Sequence, residues 1–216
     1  MQLYSFWRSQ AAFRVRIALG LKGLEAEMTY VDLFKGAQCR PSYRQVNPAM
    51  LLPTLIDGVG PPLVQSLAIL EYLDEVYREP QLLPKDSRDR AHVRALAYTV
   101  AVDAHPFVVP RVRNYLQSEL RLDEPARMRW LQYWLDSATR VVEEMLSNDA
   151  RTGRFCYGDG PTLADVCLVP HLTSAQMLYN CHFDSQPTVR RILVECMKIR
   201  AFTAAHPSNQ ADAHRK

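Results

Sequence analysis

The sequence predicts a two-domain fold in which a mixed α/β domain precedes an all-helical domain. Strand and helix signals alternate over residues 1–80, a segment with two prolines follows, and helical patterns without strand signals fill the remainder. The 216 residues suit two modest domains. We therefore predict domains at residues 1–80 and 87–216.

The first part of the chain has the pattern of a parallel β-α-β unit. Residues 2–6 form a short, aromatic strand candidate, and residues 13–21 have apolar side chains every fourth position, which is typical of a helix. Gly23 is suited to end that helix. Residues 27–33 alternate and contain β-forming residues, so they are predicted to be the second strand.

A hairpin and a helix complete the first domain. Residues 53–57 and 63–64 are strand candidates, separated by the glycine- and proline-rich stretch 58–62, which suits a hairpin. Residues 65–78 then have helical periodicity. The resulting order, β-α-β-(α)-β-β-α, is the thioredoxin-like arrangement.

The second domain is predicted to be helical throughout. Residues 124–146 form one helix, and its candidate buried residues include Trp130, Trp134, Val141 and Met145. The pair Thr162 and Asp165 has the spacing of a capping box, which predicts a helix over residues 166–178. Residues 208–216 are expected to form a loose tail.

Composition excludes several classes of function. The net charge of +3 with no basic stripe argues against nucleic-acid binding, and no run of about 18 apolar residues predicts a membrane span. The N-terminus lacks the pattern of a signal peptide. The five cysteines are odd in number and include no C-x-x-C pair, which favours a reduced, cytoplasmic setting without zinc or disulfides.

Residues 3–19 resemble the signature of zeta-class glutathione transferases, which include maleylacetoacetate and maleylpyruvate isomerases. The similarity extends to most of the chain, through residues 46–48, 52–55, 65–69, 158–170 and 202–207. It implies a glutathione-transferase fold, glutathione as the cofactor, a homodimer and a small dicarboxylate substrate. Where the family often has Ser-Ser-Cys, this chain has Ser9-Gln10-Ala11, a departure that favours the maleylpyruvate branch.

Ser9 is the candidate catalytic residue. A hydroxyl between the first strand and the first helix can donate a hydrogen bond to a thiolate, and the N-terminus of the helix adds positive potential. Its function would be to keep a bound thiol ionised without itself being the nucleophile. The alternative is an ordinary helix-capping serine.

The resemblance also implies a set of glutathione-binding residues. A cis peptide bond between Leu52 and Pro53 would let the backbone of Leu52 hold the cysteinyl part, although a trans proline opening an edge strand is the alternative. Ser66, which begins a helix, has a simple capping role as its alternative. The complete set comprises Ser9, Gln10, Gln38, Leu52, Pro53, Gln65, Ser66 and His105. Gln38 is alternatively a solvated loop residue, and His105 a structural histidine.

Two arginines are the candidate substrate-binding residues. Arg8 and Arg111 can each grip one carboxylate through two hydrogen bonds, although surface charge is the alternative for both. Arg14 and Arg16 are interpreted as structural. Pro106 and Pro110 are predicted to kink the helix that contains Arg111. Met177 occupies a position where the family commonly has a third arginine.

The sequence therefore predicts a glutathione-dependent cis–trans isomerase of a maleyl dicarboxylic acid. The first alternative is a transferase that conjugates or dehalogenates small electrophilic acids on the same scaffold. The second is a non-enzymatic binding module, against which the presence of Ser9 argues. Fold alone does not separate these functions.

Overall fold

The computed structural model describes residues 1–213. These residues fall into two units, one formed by Met1–Gln81 with the chain from Met197 onward, and one by Leu82–Cys196. The α-helices of the described residues are α1 (Gln10–Leu21), α2 (Pro41–Val46), α3 (Ser66–Val76), α4 (Ser87–Ala101), α5 (His105–Val108), α6 (Pro110–Ser118), α7 (Glu124–Ser147), α8 (Leu163–Tyr179), α9 (Pro187–Cys196) and α10 (Arg200–Ala205).

The sheet of the first unit has the strand order β2-β1-β3-β4. Its strands are β1 (Gln2–Ser5), β2 (Glu27–Tyr30), β3 (Thr54–Ile56) and β4 (Leu63–Val64). β1 runs parallel to β2 and antiparallel to β3, while β3 and β4 form an antiparallel hairpin. The predicted β-α-β unit and hairpin are thus confirmed; β1, β2 and β3 are each shorter than their sequence patterns suggested, and β4 has its predicted bounds.

Helix α1 is the central helix of the first unit. It begins at Gln10, three residues before the predicted start, because Ser9 caps it. Every residue from Gln10 to Leu19 is buried, although the apolar spacing indicated a single buried face. The reason is that α1 packs against both α3 and α10, which cover different sides of it.

The chain from Met197 onward packs in the first unit, whereas the sequence predicted residues 87–216 as one domain. Helix α10 lies so close to α1 that a Cβ atom at Gly20 would stand 3.1 Å from the Cβ of Ala201. Glycine at this position therefore permits the approach of the two helices, and Phe202 is fully buried beside it. No local signal in the sequence indicates this return of the chain.

The prediction of a loose tail from residue 208 is wrong for the part that the structure describes. Pro207–Asn209 forms a 3-10 turn, and both Gln210 and Asp212 are buried. The remainder of the predicted tail, residues 214–216, lies outside the described residues.

Helix α8 is the core of the second unit. It is buried along most of its length and packs against α4 and α7. The predicted capping box begins it: Oδ2 of Asp165 accepts hydrogen bonds from the N–H (2.8 Å) and the hydroxyl (2.9 Å) of Thr162. Oδ1 of Asp165 accepts from the N–H of Cys156 at 2.9 Å, so the carboxylate also fixes the preceding loop.

The buried face of α7 is displaced from the predicted one. Val141 is 45% exposed, so its predicted burial is wrong. Each residue of a helix is rotated by about 100° from the residue before it. The residue after Val141, Val142, therefore lies on the buried face together with Leu135. Trp134 is half-buried and stacks on Phe107, with ring centroids 4.1 Å apart.

No helix within residues 1–213 is long and apolar enough to cross a lipid bilayer.

A buried ion pair stabilises the end of α3. Nζ of Lys22 donates to Oδ1 of Asp74 (3.0 Å) and to the backbone oxygens of Tyr77 (2.7 Å) and Pro80 (2.8 Å). The side chain of Lys22 has no exposed surface. One ammonium group therefore satisfies a buried carboxylate and two carbonyl groups at the end of the helix.

We predict that Lys22→Met lowers the free energy of unfolding by about 3–5 kcal/mol, because it removes the buried ammonium that pairs with Asp74 and binds two carbonyl groups. Urea denaturation of the purified protein measures this loss. Lys35→Met is the matched control: Lys35 pairs with Asp32 at 3.7 Å, but its side chain is 74% exposed. The control should cost no more than about 1 kcal/mol. Equal losses for the two variants would contradict the prediction.

Candidate active site

Ser9 lies at the N-cap of α1. Its Oγ accepts a hydrogen bond from the N–H of Ala12 at 3.2 Å. A hydroxyl that accepts keeps its own proton to donate, and no described residue accepts the proton of Ser9. The capping role and the proposed thiol-binding role are therefore compatible at one side chain, and both use the N-terminus of α1.

A tight turn delivers Ser9 to this position. The N–H of Ser9 donates to the carbonyl oxygen of Phe6 at 2.9 Å. Arg16, two turns along α1, donates to that same oxygen (3.3 Å), to the carbonyl oxygen of Trp7 (3.2 Å) and to Oγ of Ser5 (3.0 Å). Burial lowers the pKa of Arg16 to about 10, against the opposing attraction of nearby Asp212. The guanidinium is therefore charged at neutral pH.

Arg14 and Arg16 are both buried and hydrogen-bonded within the first unit, which agrees with their structural interpretation. Nη1 of Arg14 donates to Oγ of Ser66 at 3.2 Å. This contact connects α1 to the first residue of α3, and it holds the Ser66 side chain in a buried position. Arg16 thus holds the turn before Ser9, and Arg14 holds the start of α3.

The peptide bond between Leu52 and Pro53 is cis, as predicted. Leu52 is buried, and neither its N–H nor its carbonyl oxygen has a hydrogen-bond partner among residues 1–213. The preceding loop is held by Asn47 and Tyr43, whose side chains donate to the carbonyl oxygen of Leu51 at 2.8 and 2.7 Å. A fixed backbone thus presents one donor and one acceptor side by side.

Gln65 has a strained backbone at the start of α3. Its φ of +69° lies in a region that residues other than glycine rarely adopt. It is the N-cap residue, one position before Ser66, and its side chain makes no capping hydrogen bond. The first N–H groups of α3 therefore receive no side-chain cap from it, and strain of this kind clusters at ligand sites.

Two amide groups among the predicted residues have a buried atom without a hydrogen-bond partner in the described part of the chain. These atoms are Nε2 of Gln10 and Oε1 of Gln38, the latter in the 3-10 turn Ala37–Cys39. An unsatisfied buried polar atom costs about 1–3 kcal/mol. Both atoms are suited to a polar ligand that completes their hydrogen bonding.

Arg8 lies within the turn from Phe6 to Ser9, against an aromatic ring that sequence reasoning missed. Its guanidinium carbon is 5.5 Å from the centroid of the Phe34 ring. Phe34 is 63% exposed and packs edge-on against Phe6. Oδ1 of Asp32 accepts from the N–H of Phe34 at 2.9 Å, so an aspartate turn presents the ring. Asp32, whose side chain forms this turn, was the feature of the sequence that could have indicated an exposed ring at Phe34.

The other two predicted residues belong to the second unit. His105 begins α5 and is half-buried, and Arg111 is an exposed residue in the first turn of α6. The predicted proline kink is wrong, because Pro106 and Pro110 occupy the first turns of two separate short helices. In the first turn of a helix the backbone N–H has no partner within the helix, so proline is accommodated there without a kink. Nε of Arg113, which the sequence analysis did not single out, is buried without a partner among residues 1–213.

Comparison with known proteins identifies the family. The model of the family described as "Glutathione S-transferase, N-terminal domain" matches residues 1–75. A probable maleylacetoacetate isomerase of Vibrio cholerae is 40% identical, with 98% of this chain and 97% of that protein covered. Two solved structures are also similar, and both cover nearly all of the chain.

The first structure is the holo form of a maleylpyruvate isomerase, described as a bacterial glutathione transferase of the zeta class. It has a TM-score of 0.95 and 39% identity over 98% of this chain and 99% of that one. The second is a maleylacetoacetate isomerase of Methylobacterium extorquens AM1 with bound malonate and glutathione. It has a TM-score of 0.96 and 42% identity, and the match covers 100% of both chains. This chain therefore belongs to the maleylacetoacetate and maleylpyruvate isomerase family of zeta-class glutathione transferases.

Proposed function

We propose that this protein is a glutathione-dependent isomerase that converts a maleyl dicarboxylic acid, maleylpyruvate or maleylacetoacetate, to its trans isomer during the breakdown of aromatic compounds or tyrosine. The observation that carries the proposal is the geometry of Ser9, whose hydroxyl caps α1 and keeps its own proton for an acceptor. The relatives named above, isomerases of these two acids, support the choice of reaction.

The residues of the first unit fit glutathione. The backbone pair of Leu52 can hold the cysteinyl part, and the first turn of α3 with Gln65 and Ser66 can hold the γ-glutamyl carboxylate. The buried amide atoms of Gln10 and Gln38 have no hydrogen-bond partner within residues 1–213, and a tripeptide's polar groups would supply one. Pro53 sets the direction of the Leu52 backbone, and His105 is assigned to glutathione on the resemblance alone.

Bound glutathione supplies a thiolate that adds reversibly to the activated double bond of a maleyl acid and leaves after the bond has rotated. Ser9 stabilises the ionised thiol by a hydrogen bond worth about 1.5–3 kcal/mol, and the N-terminus of α1 adds about 0.3–1 kcal/mol. Because about 1.4 kcal/mol corresponds to one unit of pKa, these contributions together lower the thiol pKa by about one to three units. Ser9 thereby keeps the nucleophile ionised near neutral pH.

Arg8 and Arg111 are assigned to the two carboxylates of the acid. A buried carboxylate is costly without a cation, so a dicarboxylate substrate requires a positive group at each end. The malonate bound in the relative from Methylobacterium extorquens is itself a dicarboxylate. Met177, in place of the family's common arginine, leaves a larger share of substrate recognition to Arg8 and Arg111.

The cellular setting and the oligomeric state stay predictions. No disulfide joins the cysteines within residues 1–213, which supports a reducing compartment and is consistent with a cytoplasmic protein. The homodimer follows from the resemblance to the zeta class. We propose no nucleic-acid or membrane partner.

An absorbance assay with maleylpyruvate and maleylacetoacetate, each with and without glutathione, tests the function. We expect isomerisation of at least one acid that requires glutathione and does not consume it. Ser9→Ala should lower turnover by about 10- to 100-fold, because a hydrogen bond to the thiolate is lost. Consumption of glutathione with a halogenated acid instead would favour the transferase alternative.

Asp123→Ala is the matched control for the loss of a helix cap, because Oδ1 of Asp123 caps α7 by accepting from the N–H of Ala126 at 2.8 Å. Both substitutions should cost about 1 kcal/mol of stability. Only Ser9→Ala should slow turnover and raise the pKa of the bound thiol. Ser9→Thr keeps the hydroxyl and should retain most activity. An Ser9→Ala variant with unchanged turnover and unchanged thiol pKa would refute the assigned role.

The double variant Gln65→Ala with Ser66→Ala should weaken glutathione binding by about 10- to 100-fold, since one or two hydrogen bonds to a carboxylate are lost. Calorimetry measures the affinity, and circular dichroism checks that the helical content is unchanged. Gln65→Gly separates strain from binding: it suits the positive φ and should preserve stability while still weakening affinity. If affinity is unchanged in both variants, the anchoring assignment is wrong.

Arg8→Met and Arg111→Met should each lower kcat/KM for the dicarboxylate by about 30-fold or more, corresponding to about 2–5 kcal/mol, while glutathione affinity stays nearly constant. Arg140→Met is the control, because Arg140 is a surface arginine paired with Asp136 at 3.0 Å. The wild type should also prefer the free dicarboxylate to its mono-ester. If the wild type shows no such preference and Arg111→Met changes neither rate, the two-arginine arrangement is refuted.

A further inference from the structure

The turn that delivers Ser9 is held by a residue near the other end of the sequence. The N–H of Trp7 donates to Oδ2 of Asp212 at 2.8 Å, although the two residues are 205 positions apart. Asp212 is buried. Its carboxylate therefore lies directly against the backbone of the Phe6–Ser9 turn, two residues before the hydroxyl assigned to the thiol.

Arg16 makes a second connection between the same two segments. Its Nε donates to the carbonyl oxygen of Ala205, the last residue of α10, at 3.2 Å. Its two terminal nitrogens donate to the carbonyl oxygens of Phe6 and Trp7. The rigid, planar guanidinium thus fixes the distance between the end of α10 and the turn.

The C-terminal segment, residues 197–213, has internal hydrogen bonds that hold Asp212 in place. Nε2 of Gln210 donates to the carbonyl oxygens of Ala204 (2.9 Å) and His206 (3.1 Å). Pro207 and Phe202 are buried in the same segment. The carboxylate therefore approaches the turn from an ordered support.

Only one of the two carboxylate oxygens of Asp212 has a hydrogen-bond partner among residues 1–213. Its Oδ1 is buried and has no hydrogen-bond partner among the described residues. A buried carboxylate oxygen without a partner destabilises a fold. The other oxygen, Oδ2, accepts from the N–H of Trp7, so the hydrogen bond that this side chain makes is directed at the turn before Ser9.

We propose that the C-terminal segment is a positioning element of the active site, and that Asp212 and Arg16 are positioning residues that fix the Phe6–Ser9 turn and so the direction of the Ser9 hydroxyl. This inference rests on the proposed function, because it assumes that Ser9 serves a bound thiol. Three backbone groups of the turn, the N–H of Trp7 and the carbonyls of Phe6 and Trp7, are held by these two side chains.

The test compares Asp212→Ala with Asn209→Ala. Asn209 lies in the same segment and its Nδ2 donates to the carbonyl oxygen of Thr203 at 2.7 Å, but this bond does not involve the turn. We expect faster amide hydrogen exchange at Trp7 and Ser9 in Asp212→Ala, measured without any ligand. Absorbance titration should show a raised pKa for the thiol of bound glutathione, and kcat should fall about 10- to 100-fold, as misplaced catalytic groups do.

Asp212→Asn should restore the slow exchange and most of the turnover, because its amide oxygen still accepts from the N–H of Trp7. The proposal is overturned if exchange at Trp7 and the thiol pKa are unchanged in Asp212→Ala, or if Asn209→Ala produces the same changes. It is also overturned if Asp212→Asn behaves like Asp212→Ala. Exchange and glutathione titration need no acid substrate, so a wild type that isomerises neither acid refutes the proposed function and leaves this test intact.

Discussion

A single buried guanidinium, that of Arg16, holds together the part of the molecule on which the candidate site depends. It is 5% exposed and donates to the side chain of Ser5 and to the backbone oxygens of Phe6, Trp7 and Ala205. Taking such a charge out of water is expensive, and its hydrogen bonds together with the attraction of nearby Asp212 offset the cost. The strand end, the turn and α10 therefore form one connected unit, because moving any of them would remove at least one acceptor from the buried charge.

The candidate site is built largely from backbone groups at the beginnings of elements. Ser9 caps α1, Leu52 precedes the cis proline before β3, and Gln65 occupies the N-cap position of α3 with a positive φ. The ends of helices and strands leave N–H and carbonyl groups without internal partners, which makes them natural contacts for an extended peptide. This explains why the departure from Ser-Ser-Cys to Ser9-Gln10-Ala11 is compatible with the site: the hydroxyl at the cap is kept, and its neighbours are buried.

The protein's own buried thiols are poorly suited to nucleophilic chemistry. Burial raises the pKa of Cys156 and of Cys196, and the nearby carboxylate of Asp165 raises both further. Burial also raises the pKa of Cys181 to about 11. Thiols in such surroundings stay protonated at neutral pH. A thiolate reaction on this scaffold accordingly favours a bound thiol at the N-terminus of α1, where a hydroxyl and the helix dipole stabilise the anion.

The sequence by itself determined the order of elements, the β-α-β unit, the hairpin, the capping box at Thr162 and the family, because these depend on local periodicity, turn residues and short motifs. Tertiary structure alone decided the burial of α1 on all sides, the return of α10 onto Gly20 and the contact of Asp212 with Trp7. Those contacts join residues up to 205 positions apart, and no local pattern encodes them. The offset of the buried face of α7 also arises from tertiary contacts, because the helices that pack against α7 determine which of its sides is buried.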